Sequence, residues 1–384
     1  MLLLSNARVF APEPLGVRHL LVSGERVVGV FAERPTLVGV PCTVVDLDGA
    51  TVTPGLVDGH AHLTGGGGEA GPQTRVPAPT LTQYTRAGVT SVVGVLGTDS
   101  ITRSVADLVT AARGLEAEGL SAWCHCGGYH LPPATITGSV RGDITLIDRI
   151  IGVGEVAISD HRSSQPTLDE LLRVAAEAHV GGLMTGKAGV LHLHLGDGPR
   201  GLALVREALE VSELPPRVFH PTHVNRRRAL FDEALELARQ GVTIDLSAFD
   251  VGPDEDGWTA AEAIRRYVDA GLPIERLTVS SDSGGCLPHF DADGRVDRMG
   301  VGNAFGLWQA VQTCVAAGLP LDAVLPAFTQ TPASLLRLPR KGRIAEGADA
   351  DFLVLDAALQ IRAVMARGRW LVENGEPVVR GTFE

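Results

Sequence analysis

The sequence predicts an α/β fold: a (β/α)8 TIM-like barrel with a small β-sandwich domain built from both chain ends. Three observations lead to it. Between residues 51 and 335, short apolar runs alternate with segments whose apolar residues recur at helical spacing. That stretch is close to the roughly 250 residues of such a barrel. Residues 1–50 and 336–384 instead contain short strand-like runs. A doubly wound open sheet is the alternative for the middle region.

Each element follows from this alternation. The first 50 residues contain short apolar runs, among them 2–4 and 9–10, broken by proline and glycine. The strand-like runs of the barrel are 91–96, 122–124, 151–158, 190–195, 218–223, 243–246 and 277–281. The helix-like segments between them are 104–118, 167–178, 198–209, 227–239 and 259–270. After Lys341, the sequence GRIAEGADADFLVLD begins the closing strands.

Composition excludes several classes of protein. The 384 residues are 45% hydrophobic and 20% charged, which is typical of a globular chain. A net charge of −12 offers no basic surface for nucleic acid, so no such partner is expected. Five cysteines in a long chain fit reduced thiols in a cytoplasm better than a disulfide framework. No signal peptide or long apolar run is recognisable, so we expect no membrane partner.

Histidines and acidic residues recur where the predicted strands end. His60 and His62 close a short apolar run, and alternate strand residues point the same way. Alone, such a pair is more often two ordinary polar residues, but similar residues follow at other strand ends. Because barrel enzymes build their sites at these ends, the set predicts a zinc or similar divalent metal site, with Glu155 as an anion able to bridge two ions. The other residues at strand ends are His192, His194, His220, His223 and Asp282.

Several motifs resemble the amidohydrolase superfamily: HAH after PGLVDG, then HLHLGD, PTHVN, SSD and the closing GRIAEGADADFLVLD. Within it the chain is most similar to the isoaspartyl dipeptidase family. The finer matches span nearly the whole chain and include HLTGGGGEAGPQTR (62–75), AGVTSVVGVLGTDS (87–100), GGYHLPPATITGSV (127–140) and AISDHRS (157–163).

This resemblance implies two zinc ions, or other divalent metals, with a bridging hydroxide as nucleophile. It assigns His60, His62 and Asp282 to one ion, and His194 and His223 to the other. Asp282 would also act as general base and then general acid. The resemblance further implies that Tyr129 donates a hydrogen bond to the developing oxyanion. We expect His192 and His220 to pack against or support these ligands.

The resemblance also implies a substrate-binding set. Glu69 matches the carboxylate that holds the substrate's α-amino group, while Arg162 and Arg226 match arginines that hold its carboxylates. Arginine suits this task because its planar fork binds carboxylate with two hydrogen bonds. Thr98 is a weaker candidate, as is Ser100.

Two positions depart from the family pattern. Where the family has a carbamylated lysine between the metals, this chain has Glu155, and its only lysines, Lys187 and Lys341, lie elsewhere in the sequence. We therefore expect Glu155 to bridge the metals without bicarbonate. Cys286 replaces a family serine that helps to bind the substrate, and a thiol is a weak hydrogen-bond donor.

The sequence thus predicts a binuclear metallo-dipeptidase that hydrolyses isoaspartyl dipeptides, and by resemblance a homo-oligomer, an octamer. The alternatives are another amidohydrolase that acts on cyclic amides, like dihydroorotase or hydantoinase, or on N-acyl amino acids. A noncatalytic assembly protein on the same scaffold is disfavoured because all the matched metal ligands are retained.

Overall fold

The computed structural model describes residues 1–252, 255–290 and 296–384. Its N-terminal part begins with an antiparallel meander, to which two further strands add in parallel beside the first. The predicted runs 2–4 and 9–10 are one strand with an irregularity between Leu4 and Ala7, where Asn6 has a φ of 56°. The strands are β1 Leu2–Phe10, β2 Pro14–Ser23, β3 Arg26–Phe31, β4 Thr43–Asp46 and β5 Thr51–Pro54.

Eight parallel strands follow and form the main apolar core together with the helices that pack on them. β6 to β11 pair in chain order, β12 pairs with β13, and β11 lies beside β12. Backbone hydrogen bonds from His62 N to Ser283 O (2.7 Å) and from Asp282 N to His60 O (3.1 Å) join the two ends of the series. These contacts complete a (β/α)8 TIM-like barrel, so the predicted fold class is confirmed. The strands are β6 Leu56–Ala61, β7 Val89–Gly94, β8 Ser121–Cys126, β9 Ile150–Ile158, β10 Val190–Leu195, β11 Phe219–Thr222, β12 Ile244–Ser247 and β13 Leu277–Ser280.

The helices begin and end at recognisable capping residues. Thr167 and Thr259 each form a capping box with the glutamate three residues later, while Gly186, with a φ of 75°, ends a helix that runs seven residues past its predicted limit. The helices are α1 Leu81–Thr85, α2 Val105–Glu118, α3 Val140–Leu146, α4 Leu168–Thr185, α5 Ala203–Val211, α6 Arg228–Arg239, α7 Ala260–Asp269, α8 Phe305–Ala316, α9 Leu321–Val324 and α10 Gln330–Leu335. Among the described residues, none of the helices combines the length and the apolar character needed to cross a bilayer.

A hairpin and four closing strands complete the chain. The hairpin, β14 Cys286–Phe290 and β15 Val296–Val301, follows β13. The closing strands are β16 Phe352–Leu355, β17 Ile361–Ala366, β18 Arg369–Glu373 and β19 Glu376–Pro377. β16 pairs antiparallel with β5, so both chain ends contribute to one nine-stranded, mostly antiparallel sheet with its own apolar core. β5 belongs to this sheet, and the predicted domain limits at residues 50 and 336 stay predictions.

A buried charge cluster connects this sheet to the barrel. The Lys341 ammonium lies 2.7 Å from Asp351 Oδ2, 2.8 Å from Asp349 Oδ2 and 2.7 Å from the Ser121 hydroxyl at the start of β8. Lys341 is only 5% exposed, so these three partners satisfy its three N–H donors away from water. The cluster therefore fixes the terminal sheet against the lower part of the barrel wall.

Candidate metal centre and active site

The six side chains predicted as metal ligands lie together at the carboxyl end of the barrel, and all are buried. Each comes from a strand or from the residue or two that follow it, because parallel strands end at a common rim. Every described group of three or more potential ligands belongs to this set. The side chains are His60 and His62 at the end of β6, Glu155 in β9, His194 in β10, His223 after β11 and Asp282 after β13.

Glu155 lies between two pairs of imidazoles. Its Oε1 is 3.4 Å from His62 Nε2 and 3.7 Å from His60 Nε2. Its Oε2 is 2.9 Å from His194 Nδ1 and 3.4 Å from His223 Nε2. Burial raises the pKa of Glu155, but the neighbouring imidazoles outweigh burial and lower that pKa well below its ordinary value. The group is therefore a carboxylate that presents one oxygen to each pair.

Asp282, together with His60 and His62, completes a potential cation site. Its Oδ1 lies 3.2 Å from His62 Nε2 and 3.5 Å from His60 Nε2. Within the described residues, both Asp282 Oδ1 and His60 Nε2 are buried without a hydrogen-bond partner. Buried polar atoms are nearly always satisfied, and nitrogen and carboxylate donors of this kind are ordinary zinc ligands. The donor set therefore fits divalent metal ions.

The backbone is unusual at two of these positions. His223 has a φ of 60° and Asp282 a φ of 53°, a left-handed conformation that non-glycine residues seldom adopt. Neighbouring contacts hold Asp282 there, since its N–H donates to His60 O and its carbonyl accepts from Gly285 N at 3.0 Å. Such conformations persist where the surroundings enforce them and are concentrated at functional sites.

A connected group of polar side chains extends from His194 toward the mouth of the barrel: Tyr129, Arg162, Glu69 and Thr98. The Tyr129 hydroxyl lies 2.9 Å from His194 Nδ1, and the Arg162 guanidinium carbon lies 5.4 Å from the centre of the Tyr129 ring. Arg162 Nη1 is 3.4 Å from Glu69 Oε1, to which the Thr98 hydroxyl also donates at 3.1 Å. Burial, and then Glu155, raise the pKa of Tyr129 well above its ordinary value, so the phenol keeps its proton as a donor.

Arg226 and Cys286 lie at the two ends of this group, Arg226 beside His194 and Cys286 beside Gly67. Arg226 Nη1 donates to Leu195 O at 2.8 Å and lies 3.5 Å from His194 Nε2. Cys286 begins β14, and a Cβ placed on Gly67 would lie 3.3 Å from its Cβ, so it borders the glycine loop. A cavity of about 370 Å³ opens beside Glu69 and Thr98. The structure thus brings all the predicted substrate-binding side chains to one rim.

The comparisons with known proteins agree with this geometry. The model of the amidohydrolase family matches residues 51–371. The chain belongs to the amidohydrolase family. Its structure is similar to that of a β-aspartyl dipeptidase from Fervidobacterium islandicum AW-1 in complex with a β-Asp-Leu dipeptide, with 42% identity, a TM-score of 0.91 and 98% of each chain covered. The resemblance inferred from the sequence is therefore confirmed.

More distant relatives align over most of this chain but are named for other activities. A deacetylase from Agrobacterium fabrum is 25% identical over 81% of this amidohydrolase and 72% of its own length. An imidazolonepropionase from Anaeromyxobacter sp. (strain K) is 27% identical over 87% of this chain and 82% of its own. Their different activities indicate that the substrate must be argued from the site itself.

Two side chains that sequence reasoning missed organise the rim of this amidohydrolase. The Asp160 carboxylate accepts from Arg162 Nη2 (2.7 Å) and Nε (3.0 Å), and it lies 3.1 Å from His194 Nε2. Asp160 stands inside the AISDHRS motif, so that match could have drawn attention to it. Arg103 donates to four backbone carbonyls of the segments around the glycine loop. No local sequence signal distinguishes Arg103 from a surface arginine.

Proposed function

We propose that this protein is a binuclear metallo-dipeptidase that hydrolyses β-aspartyl (isoaspartyl) dipeptides. The observation that carries the proposal is the charge inventory of the rim beside the metal donors. A β-aspartyl dipeptide at neutral pH has one ammonium and two carboxylates. The rim offers two guanidinium groups, Arg162 and Arg226, and the carboxylate of Glu69, in addition to the Asp160 carboxylate that braces Arg162. Dihydroorotate and hydantoins lack the ammonium, so they would offer Glu69 no positively charged group of their own. The full-length similarity to a β-aspartyl dipeptidase supports the same substrate.

Two metal ions, when bound, would activate a water molecule and polarise the scissile carbonyl. His60, His62 and Asp282 would hold one ion and His194 and His223 the other, with Glu155 as the shared ligand in place of a carbamylated lysine. A carboxylate suits this role because each of its oxygens already faces one histidine pair. We propose zinc as the metal, since the imidazole and carboxylate donors suit it.

The chain's own residues carry the remaining steps. Asp282 accepts the proton of the attacking water and delivers it to the leaving amine, so one carboxylate serves as base and then as acid. The Tyr129 hydroxyl donates to the carbonyl oxygen as negative charge develops there, a contribution of about 3 kcal/mol. Glu69, supported by Thr98, binds the substrate ammonium, and Cys286 borders the same subsite. By extension, we propose a cytoplasmic enzyme, and the octamer implied by resemblance stays a prediction.

The test combines metal analysis of the purified protein with hydrolysis of β-Asp-Leu and α-Asp-Leu. We expect two metal ions per chain, cleavage of the β-linked dipeptide alone, and activity that removal of CO2 does not change. Turnover of dihydroorotate with neither dipeptide cleaved would overturn the proposal in favour of a cyclic-amide hydrolase.

The bridging role has its own variant. Glu155→Gln keeps the side-chain size but removes the anion between the histidine pairs, so metal content should fall from two ions to one or fewer. Glu236→Gln, an exposed residue of α6, is the matched control and should retain two. A Glu155→Gln protein with two tightly bound ions, or an enzyme that requires bicarbonate, would refute the bridge.

A further inference from the structure

A row of buried side chains extends from His60 into the barrel interior. His60 Nδ1 lies 2.8 Å from His192 Nε2, and His192 Nδ1 lies 2.9 Å from His220 Nδ1. His220 Nε2 is 3.0 Å from the Thr278 hydroxyl, which donates to Asp245 Oδ1 at 2.5 Å. All five residues are buried. Four hydrogen bonds therefore connect His60 to a carboxylate two strands away.

The carboxylate at the far end fixes the direction of these bonds. Asp245 Oδ2 accepts from the Thr222 hydroxyl at 2.6 Å and from the Ser280 hydroxyl at 2.5 Å. An ionised carboxylate accepts hydrogen bonds and donates none, and a hydroxyl has one proton to give. The Thr278 hydroxyl donates its proton to Asp245, so its oxygen can only accept a hydrogen bond from His220. Burial raises the pKa of Asp245, and the three hydroxyl donors oppose that shift.

The same direction of donation, toward Asp245, holds for each ring in turn. The reason is that a neutral imidazole has one N–H donor and one nitrogen that can only accept. His192 is fully buried, and each of its ring nitrogens faces one ring nitrogen of another histidine. Burial and neighbouring imidazoles lower the pKa of His220 to about 3. His220 donates from Nε2, so its Nδ1 accepts from His192 Nδ1–H. His192 Nε2 in turn accepts from His60 Nδ1–H. His60 is then left with Nε2 as the nitrogen that faces Glu155 and Asp282.

We infer that Asp245 is a remote positioning residue, which sets the tautomers of His220 and His192 and thereby directs the Nε2 lone pair of His60 toward the metal. The inference rests on the proposed function, since it takes His60 as a metal ligand. With the opposite direction, His192 would donate from Nε2 to His60 Nδ1, and the Nε2 of His60 would hold the ring proton where a cation must bind. The hydrogen bonds that end at Asp245 disfavour the tautomer of His60 with its proton on Nε2.

The first test measures tautomers in the zinc-loaded wild-type protein labelled with ¹⁵N-histidine. Long-range ¹H–¹⁵N NMR distinguishes the two ring nitrogens, and the loss of signals in His192→Gln and His220→Gln identifies the residues. We expect the proton of His192 on Nδ1 and that of His220 on Nε2. The reverse arrangement at either ring of the wild-type protein would overturn the inference.

The second test removes the anchor with Thr278→Val, which keeps the shape of the side chain but not its hydroxyl. We expect zinc affinity, measured by competition with a chromophoric chelator, to fall by about tenfold, the scale found when a supporting partner of a metal ligand is lost. Thr278→Ser restores the hydroxyl and should bind zinc like the wild type. Thr90→Val is the matched control, because Thr90 is equally buried and its hydroxyl donates to a backbone carbonyl, Leu56 O, outside the histidine row.

The outcomes separate the two proposals. Wild-type protein that binds no zinc refutes the proposed function. Wild-type protein that binds zinc, together with a Thr278→Val variant of unchanged zinc affinity and unchanged His220 tautomer, refutes only the positioning role of Asp245.

Discussion

Arg103 holds the loop that carries Glu69, and its replacement should affect substrate binding far more than metal binding. The side chain is 4% exposed and also pairs with Asp99 at 3.2 Å. Its guanidinium donates to the carbonyls of Thr64 (3.2 Å), Gly66 (2.8 Å), Gly67 (3.3 Å) and Val76 (3.3 Å). In Arg103→Met, a shorter, uncharged side chain replaces the guanidinium and leaves those carbonyls without their donor.

The size of the effect follows from the two carbonyls whose hydrogen bonds are buried, those of Gly66 and Gly67. A buried acceptor left unsatisfied costs about 1–3 kcal/mol, so the ordered loop loses about 2–6 kcal/mol. Glu69 lies directly after this loop, and a substrate that must order the loop binds more weakly. Since 1.4 kcal/mol corresponds to a factor of ten, even partial transfer of this loss to binding predicts a rise in KM for β-Asp-Leu of about tenfold or more.

The assay compares steady-state hydrolysis of β-Asp-Leu by wild type and Arg103→Met at equal metal content. We expect KM to rise, kcat to change by less than about threefold, and the metal content to stay at the wild-type value. Arg113→Met is the control, because Arg113 lies in α2, is largely exposed and forms a surface ion pair with Asp148. A wild-type KM in a folded Arg103→Met protein would refute the reasoning, and so would an equal rise in the control.

Three further predictions concern other parts of the structure. Lys341→Met leaves the buried Asp351 without its cation, whereas Asp349 keeps Arg26 and Arg340, each at 3.3 Å. The free energy of unfolding in urea should therefore fall by about 3–5 kcal/mol, and an unchanged value contradicts this. Gly285→Ala would place a Cβ 2.2 Å from Asp282 Oδ1, so kcat should drop by about tenfold or more while the circular dichroism spectrum stays the same; full activity contradicts it. Burial, and then Glu69, raise the pKa of Cys286 to about 11. Because the thiolate is the reactive form, its alkylation by iodoacetamide, followed by mass spectrometry, should be slow at pH 8 and accelerate toward pH 11; fast reaction at pH 8 contradicts it.

The sequence predicted the barrel strands best where they are buried on both faces. The run 190–195 coincides with β10, a fully buried strand in which Leu191, Leu193 and Leu195 belong to the main apolar core and alternate with histidines. Helix α8 was absent from the predicted set, since its sequence FGLWQAVQTCVA has too little polar content to show helical periodicity. The short α3 was missed because it contains only about two turns.

Some residues of the candidate site could be predicted from the sequence and others could not. The resemblance supplied the ligands and the charged rim, because those residues stand in short local motifs. Asp245 and Arg103 could not be found in this way, since their contacts join segments far apart in the chain and nothing beside them in sequence indicates a role. Such residues become visible only when the hydrogen bonds of buried groups are traced through the folded structure.

The carboxylate of Asp160 joins two duties that are usually separate. Its Oδ2 contacts both the guanidinium of Arg162 and Nε2 of His194, so the proposed substrate-binding group and the proposed metal ligand share one supporting carboxylate. A change of specificity obtained by moving Arg162 would therefore also disturb the imidazole. Laboratory evolution toward new dipeptides should leave this pairing untouched and instead vary the neighbours of Thr98 and Cys286.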